Sequence, residues 1–233
     1  MDTTRPTAGL APLLALLTVA TGIVEAASLL GCGPVFTGMQ TGNVLFLAFG
    51  TIGEGGLSVV APATSLGAFV FGAVLAARVE WRLEAHRLRW LIIAMLTEAV
   101  LVAAAAAIAW DLEPVRSAPS GRHLAAIAVL SAAMGLRNVT AMRVAVPGMP
   151  TTLVTRAMTG FLSGSLIGRD PSFGTARAAA RRALSVASMF AGGVAGAAFV
   201  RAGFPLHVPL LTASSLALLA GLAGLRVPRV YTR

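Results

Sequence analysis

The chain has 233 residues, of which 57% are hydrophobic and only 12% are charged. Soluble domains carry about 25% charged residues, so this composition excludes an ordinary soluble protein and predicts an integral membrane protein. The formal charge is +9 and all 18 basic residues are arginines, but they cluster in short connections without an aromatic-rich basic face, so we expect membrane lipids and no nucleic acid as partners.

A helix needs about 20 apolar residues to cross a bilayer core about 30 Å thick. By this rule the chain contains eight apolar segments, and we predict a single transmembrane domain over residues 1–233. The segments are 11–30, 36–53, 57–77, 90–110, 123–146, 151–168, 183–200 and 207–225. The first could instead be a signal peptide, but it contains Glu25, runs into the next apolar stretch and lacks a clear cleavage site.

Two of the eight segments begin with polar residues. Segment 36–53 has TGMQTGN before VLFLAFG, and segment 151–168 opens with TTLVTRAMT. Gln40, Thr41 and Asn43 could cap the first of these helices, since threonine and asparagine are favoured at helix starts. Because non-helical backbone at membrane depth is tolerated only where protein or a watery cavity covers it, both segments are candidates for re-entrant or broken helices.

The arginines favour six crossings over eight. Arginine in short loops stays on the cytoplasmic side, and arginines concentrate at 78–89, at 169–182 and in the tail at 226–233. If all eight segments cross, the two arginine-rich loops fall on opposite sides of the membrane. If 36–53 and 151–168 do not cross, both loops and both termini lie inside. We therefore predict an all-α, multi-pass protein of the inner (plasma) membrane with about six transmembrane helices and two interrupted helices.

The two halves of the chain, 8–110 and 122–226, share an ordered pattern. In each half a glycine is followed three residues later by a polar residue, then by a proline-containing break and a Thr-Gly pair. The positions are Gly22, Glu25, Pro34, Thr41 and Gly42 in the first half, and Gly135, Asn138, Pro147, Pro150, Thr159 and Gly160 in the second. Three crossings per half would invert one half relative to the other. Interrupted helices at matching places in inverted repeats indicate a transport site near the midplane.

Glycines spaced by four residues recur along the chain. They are Gly38 with Gly42, then Gly160, Gly164 and Gly168, then Gly192 with Gly196. This spacing predicts close helix packing through small residues, which a short helix that does not cross the membrane also needs from its neighbours.

The same motifs carry a resemblance to a known family. The chain has Gly22, Val24, Glu25, Ala26, Phe36, Gln40, Thr41, Gly42 and Asn43, then Arg143, Val146, Pro147, Thr152, Val154, Thr155, Thr159 and Gly160. In these residues it resembles the YoaK-like family of uncharacterised bacterial integral membrane proteins, with Glu25 where that family often has aspartate. The resemblance covers most of the chain. It implies the membrane fold and location but no substrate.

Ionisable residues inside membrane segments are costly and need a partner or water. They could line a solute or proton path, or Glu25 or Glu98 could pair with an arginine of the other half and only fix the packing. Together with nearby polar residues they form the candidate substrate path. Its members are Glu25, Gln40, Thr41, Asn43, Glu98, Arg137, Asn138, Thr155, Arg156 and Thr159.

We predict no enzyme, cofactor or metal site. His86, His123 and His207 lie in separate segments and lack the spacing of metal ligands. The sequence has no GxSxG motif and no phosphate-binding loop. We expect Cys32 to act as a small apolar residue in the packed interior. The predicted function is a small permease for a polar or anionic solute. The sequence leaves the oligomeric state open, with a homo-oligomer among the partners considered. Another alternative is an assembly or accessory protein whose intramembrane polar residues serve packing, and an intramembrane enzyme comes third.

Overall fold

The structure is a computed structural model that describes residues 10–82, 87–115, 118–144, 154–165, 168, 170 and 175–226. These residues form eight α-helices and a short 3₁₀ turn, Glu54–Gly56, and contain no strand. The helices are α1 (Ala11–Gly31), α2 (Gln40–Thr51), α3 (Val60–Arg82), α4 (Arg87–Ile108), α5 (Gly121–Val144), α6 (Val154–Ser163), α7 (Ala176–Arg201) and α8 (His207–Gly224). The predictions made for His86, Val146, Pro147, Pro150, Thr152, Arg229 and Arg233, and for the side chain of Arg143, lie outside the described residues.

Six helices, α1, α3, α4, α5, α7 and α8, are long and apolar enough to cross a membrane. The other two, α2 and α6, have 12 and 10 residues. At about 1.5 Å per residue they reach roughly half of a bilayer core about 30 Å thick. The predicted all-α, multi-pass membrane fold is confirmed.

Contacts at one end of the bundle fix the number of crossings. The Val115 amide, between α4 and α5, donates a 2.8 Å hydrogen bond to the Gly31 carbonyl at the end of α1. Leu206, directly before α8, packs against Gly31 as well. Because the end of α1, the α4–α5 connection and the α7–α8 connection meet here, neither α2 nor α6 crosses: one more crossing in either half would move a connection to the opposite end.

Several arginines predicted to lie in loops are helical instead. Arg78 and Arg82 are in the last turns of α3, while Arg177, Arg181 and Arg182 are in the first two turns of α7. The reason is that alanine and arginine are both strong helix formers, so the helix continues past the apolar stretch that hydropathy detects. With 26 residues, or roughly 39 Å, α7 is longer than a bilayer core.

The contacts between helices follow the same pattern in the two halves. If each of α1, α2, α3 and α4 is exchanged with its counterpart α5, α6, α7 or α8, the same pairs of helices remain in contact. Helix α3 packs on α5 as α7 packs on α1, α4 on α5 as α8 on α1, and α2 on α3 as α6 on α7. Helix α4 packs on α8, its own counterpart. The most deeply buried helices are α1 and α5, and the least buried are α3 and α7, which lie at the periphery.

Glycines bring the backbones of the peripheral helices against those of the central ones. A Cβ on Gly192 of α7 would lie 2.1 Å from the Val19 carbonyl oxygen of α1, and one on Gly135 of α5 would lie 2.2 Å from the Phe69 carbonyl oxygen of α3. A Cβ on Gly196 of α7 would lie 2.8 Å from the Ile23 carbonyl oxygen of α1. Close packing through the Gly192–Gly196 spacing is confirmed, since no larger residue fits these crossings.

Candidate functional site

The chain folds back into the bundle between the end of α1 and the start of α2. Glu25 lies six residues before the end of α1, roughly 9 Å inside that end of the bundle. Its buried carboxylate accepts hydrogen bonds from the Thr37 amide and the Thr37 hydroxyl, both at 3.0 Å, and from the Gly38 amide. Glu25 therefore holds the loop before α2 at that depth and provides the acceptor that these backbone donors need.

Asn43 fastens the same loop from the other side. The Phe36 amide donates to Asn43 Oδ1 at 2.9 Å, and Asn43 Nδ2 donates to the Phe36 carbonyl at 2.6 Å. This paired bond satisfies both backbone groups of Phe36 as a neighbouring strand would. Asn43 is completely buried, so its amide serves the backbone rather than solvent.

A chain of hydrogen bonds connects α2 to α3 and α5. Asn43 Nδ2 donates to Ser65 Oγ at 2.9 Å, and Ser65 Oγ lies 2.8 Å from Ser131 Oγ of α5. Gln40 Nε2 donates to the Thr37 carbonyl at 2.7 Å. The start of α2 is thus tied to the second half of the chain through two serines that sequence reasoning missed.

The predicted capping of α2 is wrong. Met39 occupies the N-cap position without a side-chain cap hydrogen bond, and the helix begins at Gln40. Asn43 instead points back to Phe36, and the Thr41 side chain is exposed. Thr41 and Asn43 are two residues apart, about 200° around a helix, so they face opposite directions.

The predicted residues of α6 do not join this cluster. Thr155, Arg156 and Thr159 are all exposed, and the Thr159 hydroxyl donates to the Thr155 carbonyl at 3.0 Å. Asn138 is partly buried in α5 beside Arg137. The structure therefore brings together Glu25, Gln40 and Asn43, and leaves the α6 residues on the outer face of the bundle.

A second polar cluster lies between the halves. Arg137 Nη1 of α5 is 3.1 Å from Glu98 Oε1 of α4, and it also donates to the Thr21 hydroxyl of α1. Glu98 and Arg137 are only 2% and 3% exposed, so they form a buried ion pair. The pairing of Glu98 with an arginine of the other half, considered from the sequence, is confirmed. Thr21 was not foreseen, because a threonine in an apolar helix can simply bond to its own backbone, as it also does here to the Leu17 carbonyl.

A family model described as a protein of unknown function (DUF1275) matches residues 13–223. The chain belongs to the DUF1275 family. The match runs through all eight helices of the structure, and it confirms the uncharacterised membrane family expected from the sequence motifs. Neither the comparison with curated proteins nor the comparison with solved structures found a match.

In this DUF1275 protein, replacing Glu25 by glutamine should lower the free energy of unfolding by about 2 kcal/mol, because an NH₂ group would face amides that need an acceptor. Unfolding of the purified protein in mixed detergent micelles would measure the change. The matched control is Glu54→Gln in the exposed 3₁₀ turn, which should have almost no effect. Equal stability of the two variants would show that Glu25 does not hold the loop.

Cys32 should be inert towards thiol reagents in the folded protein. Burial raises the pKa of its thiol to about 12, so the reactive thiolate is almost absent at pH 8. We expect no maleimide labelling of the native wild-type protein and complete labelling after denaturation. Rapid native labelling would contradict the burial of this loop, whereas inertness makes the wild-type chain a ready background for introduced cysteines.

Proposed function

We propose that this protein is a small-solute permease of the inner (plasma) membrane, with its site between two inverted halves. The matching helix pairs of α1–α4 and α5–α8 support the inverted repeat. Many transporters are built from such repeats, with interrupted helices at corresponding places and a binding site near the midplane. The short helices α2 and α6 occupy corresponding places in the two halves, which supports this interpretation.

The observation that carries the proposal is the buried Glu98–Arg137 pair. Glu98 lies at the middle of α4 and Thr21 at the middle of α1, while Arg137 reaches them from the other half. Intramembrane charges are costly and mark solute or ion paths by default. Here the charges lie where the halves meet, which is where a rocking motion between repeats exposes a site alternately to each side.

One set of contacts favours the alternative of an assembly or accessory protein. The polar side chains of Glu25, Asn43 and Ser65 all bond to the loop before α2 or to each other. They fix the fold of that loop and leave the Glu98–Arg137 cluster as the part of the predicted path best placed to meet a solute.

Uptake by proteoliposomes containing the full chain tests the proposal. We expect at least one of a panel of neutral, cationic and anionic small solutes to accumulate faster than in protein-free liposomes. Glu98→Gln should slow this uptake strongly, whereas Glu54→Gln in the exposed turn should not. If folded, inserted protein moves no solute of any class, the accessory role replaces the permease.

The proposed orientation places the arginine-rich end of the bundle in the cytoplasm. Arg82 is exposed at that end, and Glu54 is exposed at the end where Gly31 lies. In intact cells, a membrane-impermeant thiol reagent should label Glu54→Cys and spare Arg82→Cys until the cells are opened. The reverse pattern would invert the topology.

A further inference from the structure

Arg137 is incompletely bonded although it is almost wholly buried. Its Nη1 contacts Glu98 and Thr21, but Nε and Nη2 have no hydrogen-bond partner in the part of the chain that the structure describes. Buried donors without an acceptor are destabilising, and a guanidinium has five N–H donors to satisfy. Two of its three nitrogens therefore lack an acceptor at a site between the halves.

The two unpaired nitrogens lie on one edge of the guanidinium. That edge presents parallel N–H groups, which match the two oxygens of a carboxylate. Glu98 occupies a different nitrogen, Nη1, so the edge is not used by the existing ion pair.

The surface beside the pair is apolar. A cavity of about 10 Å³, room for about one water molecule, lies next to Glu98 and Arg137. Leu14 and Leu17 of α1 and Leu91 and Met95 of α4 line it. A ligand with a short hydrocarbon chain beside a carboxylate would complement both surfaces, and its entry requires the lining helices to separate from this closed arrangement.

We propose that the Nε–Nη2 edge of Arg137 binds the carboxylate of a small aliphatic monocarboxylate, whose chain lies against the leucines of this cavity. The inference rests on the proposed function, since it names the solute class of that permease. Arg137 already balances the charge of Glu98, so a bound monoanion leaves one excess negative charge at the site. A proton from solvent bound to the Glu98 carboxylate removes that charge, and the solute then crosses as the equivalent of a neutral acid.

Other titratable groups lie on the helices packed around this pair. On α3, which packs on α5, Glu80 is buried near the end of the helix. On α1, Glu25 is occupied by the amides of Thr37 and Gly38. On α5, Arg122 and His123 lie at the far end of the helix from Arg137. On α8, which also packs on α4, His207 is the first residue of the helix. Glu98 is the carboxylate in direct contact with Arg137, at 3.1 Å, and is therefore the group that takes the proton in this inference.

Binding of butyrate to the purified full-length protein tests the site, with thermal shift and calorimetry as readouts. Butyrate should bind, whereas its neutral amide and butylamine should not, and acetate and nitrate should bind more weakly because they lack the chain. Arg137→Lys keeps the charge but loses the paired edge, so the Kd for butyrate should rise at least roughly tenfold. Arg122→Lys, at an exposed arginine of the same helix, is the matched control and should leave the Kd unchanged.

Three results would overturn the inference: no butyrate binding, equal binding of butyramide, or an unchanged Kd in folded Arg137→Lys.

If Arg137→Lys does not fold, Leu17→Ala serves instead, because a larger cavity should shift the binding preference from butyrate towards hexanoate. An unchanged preference for chain length would contradict the site. Butyrate binding without uptake of any solute would contradict the permease and keep the site. Uptake of another solute class without butyrate binding would contradict the site and keep the permease.

Discussion

Replacing Arg137 by methionine should lower the free energy of unfolding by about 3–5 kcal/mol, because Glu98 would stay buried without its cation. Methionine keeps a long apolar stem, so loss of packing contributes little to the difference. Equilibrium unfolding in mixed detergent micelles would measure the cost.

The double variant Arg137→Met with Glu98→Gln isolates the charge effect. With no stranded carboxylate, it should recover most of the stability lost in Arg137→Met, since replacing a whole buried pair is often close to neutral. Arg201→Met, at the exposed last residue of α7, is the matched control for removing one arginine. Additive losses in the double variant would mean that the two side chains do not interact as the 3.1 Å contact indicates.

Alanine substitutions at two adjacent glycines of α7 should have effects of opposite sign. At Gly192 the added Cβ would lie 2.1 Å from the Val19 carbonyl oxygen, so α7 must move away from α1, at a cost of about 3 kcal/mol. At Gly193 nothing lies within 4 Å of the new Cβ, and alanine should stabilise the helix by up to about 1 kcal/mol.

This pair of variants controls for helix propensity, membrane depth and expression, because only the facing surface differs. Thermal unfolding of both purified proteins in one detergent gives the comparison. If Gly192→Ala were as stable as Gly193→Ala, the close α1–α7 crossing would be incorrect.

The number of crossings was predictable because two independent signals in the sequence agree. The positions of the arginine-rich loops and the polar starts of 36–53 and 151–168 select the same two segments. The contacts of Gly31 with Val115 and Leu206 bear out that choice. The helix ends were less predictable, since alanine and arginine extend α7 beyond its apolar stretch.

The candidate site was only partly predictable. In the helix α2, Gln40 and Asn43 lie on one face and Thr41 lies on another. The motif by itself does not show this difference; it follows only when the residues are placed on a helix. The sequence could not single out Ser65, Ser131 and Thr21. Hydroxyl residues cost little free energy in apolar helices because they can bond to their own backbone, and their partners on other helices depend on how the helices pack.

Labelling of cysteines placed between the halves tests the permease most directly. Thr21 and Met134 lie on the facing sides of α1 and α5, and both are completely buried. If the halves separate during transport, Thr21→Cys and Met134→Cys should react slowly with a hydrophilic thiol reagent and lose uptake as they do. Ala105→Cys, in the apolar core, and the native Cys32 should remain unlabelled under the same conditions. Equal inertness of all four positions would contradict a solute path at the Glu98–Arg137 cluster.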